Sequence, residues 1–316
     1  MRGSTPVFAI NENGLELAEP LAEPLPQRLG RSMARLGRLA RRQPLGSFGL
    51  LVVVFLIVTA IFAPWIAPYN SIAADPSAMR ESPSASHFFG TDQMGRDVFS
   101  RVVMGARLSV GVSFTVVAIS AAISTVLGIV AGYYQRWPDY LLQRMGEFFS
   151  AFPPLIFLLL VVSILHPSVK TLVIALTLPV AFAGGSRVIR GASISIKQNQ
   201  YIEAARAMGA SDARIIFLHI LPNVMPLTIV GATTGLGAVI LALSALGYLG
   251  LGVPPPTADW GGDLSGQART YFRLAPWLAI FPGVAISLTV LAFNLLGDSL
   301  RDILDPRLRG RGTASV

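Results

Sequence analysis

The chain has no cysteine, only three histidines and few charged residues among its 316 positions. Without cysteine it can form neither disulfides nor thiolate metal sites. His87, His166 and His219 are widely spaced, so we interpret them as loop or interfacial residues and expect no metal site. Charged residues make up 13% of the chain, against roughly 25% in a typical soluble domain. These shortages argue against a metalloenzyme and against a soluble globular fold.

Hydrophobic residues, by contrast, make up 53% of the chain, and the mean hydropathy is +0.60. A helix of about 20 apolar residues crosses the hydrocarbon core of a bilayer. Six segments reach or approach that length without any Asp, Glu, Lys, Arg or His: residues 49–67, 108–132, 148–165, 171–186, 223–247 and 276–296. We therefore predict an all-α membrane protein with six transmembrane helices. The fourth segment is short, so its helix is expected to extend to Lys170 and Arg187.

The basic residues are unevenly divided between the two sides of such a protein. With the N-terminus in the cytoplasm, 18 of the 25 fall on the cytoplasmic side, and six of these lie between Arg28 and Arg42. Because cytoplasmic loops carry an excess of Lys and Arg, we predict cytoplasmic N- and C-termini. A basic stretch beside a membrane helix is typical of contact with anionic lipid, so membrane lipid is the expected partner and nucleic acid is not.

The first apolar segment could be read as a secretory signal peptide. Both the 48-residue polar lead and the apolar run are too long for one, so we interpret the segment as an uncleaved signal anchor. Residues 1–27 combine acidic residues with several prolines, which predicts a partly disordered tail.

The apolar segments also lack the groups that drive or catalyse reactions. Proton-coupled transporters place ionisable side chains within the bilayer, and this chain has none there. Sodium coupling through backbone carbonyls stays open. Lys170 follows Val169 and Lys197 follows Ile196, so no G-K-[ST] phosphate loop exists. We expect no enzyme activity and no cofactor on this chain, and any ATP chemistry must lie on another polypeptide.

The polar segment between the fourth and fifth apolar segments carries the clearest motif. Residues 203–209 read Glu-Ala-Ala-Arg-Ala-Met-Gly, and Ile220-Leu221-Pro222 follow. This pattern resembles the EAA loop of ABC-importer permeases, with His219 where that consensus has isoleucine. The resemblance implies that residues 189–221, here called the EAA loop, couple the chain to an ATPase through Tyr201, Glu203, Ala204, Ala205, Arg206, Gly209, Ala210, Asp212, Leu221 and the adjoining Pro222.

Local physics predicts a helix–turn–helix for the same segment. Residues 200–208 are good helix formers, and Gly209 can end their helix in a left-handed conformation. Ser211 can cap a second helix with Asp212 in its first turn, and Pro222 is predicted to begin the next membrane helix. A partner would then meet Tyr201, Ile202, Ala205 and Met208. The alternative from spacing alone is an interfacial hairpin without a partner.

A second motif precedes the second apolar segment and resembles a signature of the C-type subunit of dipeptide, oligopeptide and nickel permeases. Its acids and arginines predict an ion-pair network among Asp92, Asp97, Arg96, Arg101 and Arg107, which favours a structural brace on the outer face over catalytic carboxylates. The motif residues are Gly90, Thr91, Asp92, Gly95, Arg96, Asp97, Ser100 and Arg101.

Two further stretches, residues 245–261 and 291–308, resemble the outer loop and closing segment of the same subfamily. Two G-x-x-x-G pairs, Gly128 with Gly132 and Gly231 with Gly235, permit close helix approach either within the subunit or at a subunit interface. The resemblance covers roughly residues 45–309 and implies the type I ABC-importer permease fold in the bacterial inner membrane. It divides the chain into an N-terminal tail (1–48), a first helix with its outer loop (49–107), a permease core (108–297) and a C-terminal tail (298–316).

The resemblance further implies a function. The chain would be one half of a heterodimeric pore, with a B-type permease subunit, two ABC ATPase subunits that bind ATP and Mg, and a solute-binding protein. Di- or oligopeptide is the expected cargo, and nickel, glutathione or another small solute is the alternative. A channel or membrane scaffold without an ATPase is the alternative of a different class.

Overall fold

The structure is a computed structural model that describes residues 8–11, 14–17 and 43–304. Near the N-terminus two short strands, β1 (Phe8–Asn11) and β2 (Gly14–Leu17), pair antiparallel, with Phe8 opposite Leu17. These eight residues are the described part of the predicted tail 1–27, and its partial disorder stays a prediction. β2 begins directly after Asn13, and Asn-Gly is a strong hairpin sequence. Residues 1–7, 12–13, 18–42 and 305–316 lie outside the described part.

Residues 43–304 are built almost entirely of helices. Two of them contain a wider π-helical segment: Val180–Gly185 in the helix Val169–Lys197, and Ile216–Ile220 in the helix Asp212–Tyr248. A 3₁₀ turn, Pro76–Ala78, lies in residues 67–97, here called the first outer loop after the side predicted for it. The helices are α1 (Pro44–Ile66), α2 (Val98–Tyr134), α3 (Arg136–Ala151), α4 (Pro154–Leu165), α5 (Val169–Lys197), α6 (Gln200–Ala207), α7 (Asp212–Tyr248), α8 (Trp260–Leu264), α9 (Gly266–Thr270) and α10 (Trp277–Leu304).

Five of these helices, α1, α2, α5, α7 and α10, are long and apolar enough to cross a membrane. The third predicted span, residues 148–165, is not one continuous helix. It breaks between α3 and α4, which meet at 89°. Phe152, the residue before the Pro153-Pro154 pair, is extended (φ −95°, ψ 137°), as expected for a residue that precedes proline.

The packing of α1 against α10 indicates whether the bent pair α3–α4 crosses the membrane. A Cβ added to Gly46 would overlap the side chain of Ser299, and one added to Gly49 would lie 2.8 Å from the carbonyl oxygen of Ala292. Later residues of α1 therefore face earlier residues of α10, so the two helices are antiparallel. When the first and last spans run in opposite directions, the chain crosses the membrane an even number of times. The bent pair thus supplies the sixth crossing.

The remaining spans are longer than the sequence predicted. The fourth, predicted as residues 171–186, is Val169–Lys197, and the fifth, predicted as 223–247, is Asp212–Tyr248. Pro222 lies in the first turn of the α-helical stretch Leu221–Tyr248, as predicted. This stretch is not a separate helix, because the backbone N–H of Leu221 donates to the carbonyl of Ile216 and keeps the chain helical through the π segment. Such a wide turn re-pairs backbone groups next to a residue that has no N–H.

The core lies where the spans meet. Its fully buried side chains come from α2, α4, α5, α7 and α10, among them Val116, Val162, Leu172, Ile240 and Phe293. A second apolar cluster lies at the other end of α2, around Ile129, Ile189, Ile202, Ile215 and Val224. This second cluster holds the EAA loop against the membrane helices.

Candidate functional site

The helix of the EAA loop ends as the sequence predicted. Gly209 has φ +82°, in the left-handed region. The N–H of Ala210 donates to the carbonyl of Ala205 at 3.0 Å, and that of Gly209 donates to Arg206 at 3.0 Å. These two bonds form a Schellman motif, which pairs carbonyls that the helix end would otherwise leave free. The turn gives α6 a defined length and direction.

The second half of the helix–turn–helix is also confirmed. Ser211 accepts a hydrogen bond from the N–H of Arg214 at 3.4 Å and caps α7, and Asp212 lies in its first turn. This helix continues without interruption into the membrane span. A force applied to the EAA loop therefore acts directly on α7.

The prediction of which loop residues face a partner was partly wrong. Ile202 and Ala205 are buried in the second apolar cluster, because they lie on the side of α6 that packs onto the spans. Tyr201 and Met208 are exposed, at 46% and 83%. Of the other residues predicted to couple to an ATPase, Ala210 and Leu221 are half-buried, and the exposed ones are Glu203, Ala204, Arg206, Gly209, Asp212 and Pro222.

Sequence reasoning missed Tyr133, at the end of α2. Its hydroxyl donates to Asp212 Oδ1 at 2.5 Å and accepts from Arg206 Nη2 at 3.2 Å. Its backbone carbonyl accepts from Lys197 Nζ at 2.6 Å. No motif marks this tyrosine, and its two side-chain partners lie 73 and 79 residues away. Only the fold brings them together.

A second link on the same side joins α3 to α5. Arg190 donates two hydrogen bonds to Asp139, of which Nη2 to Oδ2 measures 2.6 Å. Both side chains are largely removed from solvent. This bidentate pair holds the amphipathic α3 against the helix that leads into the EAA loop.

A cavity of about 740 Å³ opens between the spans. None of the described residues that line it is charged, and its polar groups are hydroxyls such as those of Ser120, Ser124, Thr125 and Thr228. Its wall includes part of the π segment of α5. The cavity is therefore apolar with scattered hydroxyl and backbone groups.

The two G-x-x-x-G pairs have different surroundings. A Cβ on Gly128 would lie 2.7 Å from Ile189 Cβ, and one on Gly132 would lie 2.7 Å from the carbonyl oxygen of Arg190, so this pair packs α2 onto α5. A Cβ on Gly231 would meet nothing within 4 Å, and one on Gly235 only Val117 at 3.9 Å. The second pair faces the cavity.

The outer motif is a brace, although its pairing differs from the predicted network. Asp92 pairs with Arg96 at 2.6 Å, as predicted. Asp97 instead contacts His87 at 3.0 Å and caps α2 by accepting from the N–H of Ser100 at 2.7 Å. Arg107 makes no ion pair within residues 43–304. The prediction was therefore wrong for Asp97 and Arg107, and also for Arg101, whose partner is Asp263.

Glycines and hydroxyls of the motif shape the same brace. Gly90 and Gly95 have φ +71° and +74°, and a Cβ on Gly95 would overlap the carbonyl of Asp75. Thr91 accepts from the N–H of Glu81 at 2.8 Å, and Ser100 accepts from that of Tyr69 at 3.1 Å. These contacts fold the first outer loop onto the start of α2.

Arg101 connects the outer motif to residues 249–276, here called the second outer loop. It donates to Asp263 in α8 and, at 2.9 Å, to the carbonyl of Ser71. Trp260, fully buried, donates from Nε1 to the carbonyl of Val102 at 2.8 Å. Two side chains thus join loops that are far apart in sequence.

Asp259, just before α8, is a buried acid without an ion-pair partner within residues 43–304. It is 2% exposed, its Oδ2 accepts from the N–H of Gly262 at 3.1 Å, and its Oδ1 has no hydrogen-bond partner. Burial raises its pKa from 3.8 to about 6, and the hydrogen bond from Gly262 opposes this shift.

Family comparisons agree with this arrangement. A family described as "binding-protein-dependent transport system inner membrane component" matches residues 124–310. Another, the "N-terminal TM domain of oligopeptide transport permease C", matches residues 36–83. The two matches together include the EAA loop, five of the six crossings and the last part of α2.

Individual relatives match most of the chain. The dipeptide transport system permease protein DppC of Alkalihalophilus pseudofirmus is 43% identical over 269 residues, which is 85% of this chain and 88% of the relative. The glutathione transport system permease proteins GsiD of Escherichia coli and Shigella boydii are 42% identical over 271 residues, 85% of this chain and 89% of theirs.

Proposed function

The chain belongs to the inner-membrane components of binding-protein-dependent transport systems, and on that premise we propose that it forms half of the pore of an ATP-driven importer of small peptides. Its partners would be a B-type permease subunit, two ABC ATPases that bind ATP and Mg, and a solute-binding protein on the outer side. The chain itself is a multi-pass inner-membrane permease.

The observation that carries the proposal is the construction of the EAA loop. α6 is held to the spans by Ile202 and Ala205, ends at Gly209, and presents Tyr201 and Met208 outward. An apolar side chain exposed by more than four-fifths at the tip of a well-packed turn suits insertion into a groove on a partner. We infer that this groove belongs to an ATPase subunit.

Movement of the ATPases would reach the pore through α7. When ATP closes the ATPase dimer, the two EAA loops would be drawn together, and each loop continues directly into a span. The pore would then change between outward and inward access. A two-state change of this kind needs a rigid connection, and the uninterrupted Asp212–Tyr248 helix is one.

The cavity between the spans would be this chain's share of the solute pathway. Its hydroxyls and apolar walls suit the amides and side chains of a short peptide. The relatives named for dipeptide and glutathione transport agree with a peptide-type solute. Nickel is less favoured, because none of the described lining residues is an acid or a histidine.

A channel or scaffold is the alternative, and reconstitution separates the two. The chain and its co-encoded subunits are purified together and placed in proteoliposomes with the binding protein. We expect the two ATPases to co-purify, and uptake of a labelled dipeptide to require both ATP and the binding protein. Passive flux through the chain alone, without any bound ATPase, would refute the importer assignment.

A further inference from the structure

We propose that Tyr133 is a positioning residue for transport: its hydroxyl couples the EAA loop to the cavity wall through α2. This inference rests on the proposed function, because it assigns a task to a side chain within the same machinery. The resulting path runs from Arg206 and Asp212 in the loop, through Tyr133, to the hydroxyl residues of α2.

The hydroxyl of Tyr133 both donates and accepts a hydrogen bond, and both of its partners are charged side chains. It donates to Asp212 Oδ1 at 2.5 Å and accepts from Arg206 Nη2 at 3.2 Å. Arg206 lies in α6 and Asp212 in the first turn of α7, so one oxygen atom joins the two helices of the loop. Hydrogen bonds in such a chain polarise one another, and bonds to charged groups are the strong ones.

The backbone of Tyr133 adds a third connection. Its carbonyl is among those at the end of α2 that have no partner within the helix, and Lys197 Nζ donates to it at 2.6 Å. The ammonium group also lies 5.1 Å from the centre of the Tyr133 ring. Lys197 ends α5, so four helices meet at one tyrosine.

The burial of the Tyr133 side chain agrees with a coupling role for its hydroxyl. Tyr133 is 3% exposed and packs in the second apolar cluster with Ile129 and Ile202. The ring therefore already supplies apolar packing, and a phenylalanine would supply the same. What the hydroxyl adds is a directional bond to two loop residues whose own side chains extend toward solvent. That bond fixes the angle of the loop relative to α2.

α2 connects Tyr133 to the cavity, so a change in the angle of the loop relative to α2 would move the cavity wall. Thr125 and Ser124 line the cavity and lie eight and nine residues before Tyr133 in the same helix, a separation of roughly 12–14 Å at about 1.5 Å per residue. Gly128 and Gly132 hold the intervening stretch tightly against α5. A displacement of the loop is thus passed to the cavity wall along a rigid segment.

The test compares Tyr133→Phe with Tyr134→Phe in the complete importer in proteoliposomes. Tyr134 is the adjacent residue, its side chain is 48% exposed, and no described hydrogen bond involves its hydroxyl. Three quantities are measured: the ATPase retained on purification, ATP hydrolysis stimulated by the binding protein, and dipeptide uptake per ATP hydrolysed. The third quantity separates a coupling role from a structural one.

We expect Tyr133→Phe to assemble and to hydrolyse ATP at close to the wild-type rate, with uptake per ATP reduced by about tenfold, as for loss of a hydrogen bond to a charged group. Tyr134→Phe should match wild type. Asp212→Asn, which keeps an acceptor oxygen, should retain more coupling than Asp212→Ala. The double variant Tyr133→Phe, Asp212→Ala should lose less than the product of the two single losses, because both changes remove the same Tyr133–Asp212 bond and only the bond from Arg206 is lost in addition.

Three outcomes would overturn the inference: unchanged uptake per ATP in Tyr133→Phe, losses that multiply in the double variant, or failure of Tyr133→Phe to assemble while Tyr134→Phe assembles. The last would show a purely structural role. A failure of the proposed function is distinguishable, because the wild-type chain itself would then retain no ATPase.

Discussion

Arg101, near the start of α2, donates two hydrogen bonds to one carboxylate oxygen of Asp263, which lies 162 residues later in α8. The side chains are only 6% and 13% exposed, so this ion pair holds the two outer loops together away from solvent. Such a pair contrasts with Arg144 and Glu147 on α3, which are also bonded, at 2.6 Å, but lie in solvent.

The contrast predicts different costs for removing each arginine. Arg101→Ala would leave Asp263 as a buried charge without its partner and should lower the free energy of unfolding by about 3–5 kcal/mol. Arg144→Ala should lower it by less than about 1 kcal/mol. Thermal unfolding of the purified protein in detergent, followed by tryptophan fluorescence, measures both. Equal effects would contradict the bracing role of Arg101.

Asp259 predicts a pH dependence of stability. Its pKa in the folded protein is about 6, above the ordinary value of 3.8, so the folded state binds the proton more tightly than the unfolded state. The ionised carboxylate therefore destabilises the fold. The penalty is absent below about pH 4, grows as the pH rises towards 6 and is complete above that, reaching up to about 3 kcal/mol.

Asp259→Asn should remove this penalty, because the amide oxygen can still cap α8 by accepting from Gly262. The variant should match wild type near pH 4 and unfold at a higher temperature at pH 7.5. Asp263→Asn is the control: it weakens the pair with Arg101 and should destabilise at pH 7.5. A wild-type protein whose stability does not fall between pH 4 and pH 6 relative to Asp259→Asn would refute the assignment.

Gly209 predicts a defect confined to coupling. A β-branched residue in its left-handed conformation costs about 1–2 kcal/mol, yet a Cβ there meets no atom of this chain within 4 Å. Gly209→Val should therefore insert and fold but retain less ATPase on purification. Gly191→Ala, a helical glycine that also faces open space, is the matched control. Normal uptake by a Gly209→Val, Glu203→Lys double variant would exclude this loop as the ATPase contact.

The two G-x-x-x-G pairs predict opposite effects on stability when one of their glycines is replaced by alanine. Gly132→Ala would place a Cβ 2.7 Å from the carbonyl of Arg190 and should destabilise the fold by about 1–3 kcal/mol. Gly231→Ala meets open space and should stabilise α7 by about 0.5–1 kcal/mol. Thermal unfolding measures both. Gly231→Leu should fold but reduce uptake by narrowing the cavity; full uptake would remove the cavity from the pathway.

The distribution of basic residues predicts sidedness, which single cysteines can test in this cysteine-free chain. Thr257→Cys, in the second outer loop, should react with an impermeant maleimide added to intact cells. Met208→Cys, at the exposed tip of the EAA loop, should react only after the membrane is opened. The opposite pattern would reverse the orientation.

The sequence predicted what local rules determine. The spans followed from apolar length, and the turn at Gly209 with its cap at Ser211 followed from backbone chemistry. The third crossing was predicted as one apolar segment, and apolar length alone does not reveal that the chain turns through 89° at Pro153 and Pro154. The sequence did not reveal the π segment Ile216–Ile220, which joins the stretch that begins at Leu221 to the helical turns before it.

Side-chain partners far apart in sequence were beyond these rules. Arg101 was assigned to nearby acids, whereas its partner is Asp263, and Tyr133 was not identified at all. The burial of Ile202 and Ala205 depends on which side of α6 meets the spans. That choice is made by tertiary packing, which a single sequence without its fold does not specify.

The close fit of α1 against α10 has a consequence for biogenesis. Gly46 and Gly49 leave room on α1 that the far end of α10 fills, and α10 is synthesised after all the other spans within residues 43–304. The first helix must therefore lie in the lipid, or against an insertion factor, until α10 has been synthesised and inserted. A chain cut short before α10 would keep a signal anchor without its permanent neighbour, so quality-control proteases would find truncated subunits by their first helix.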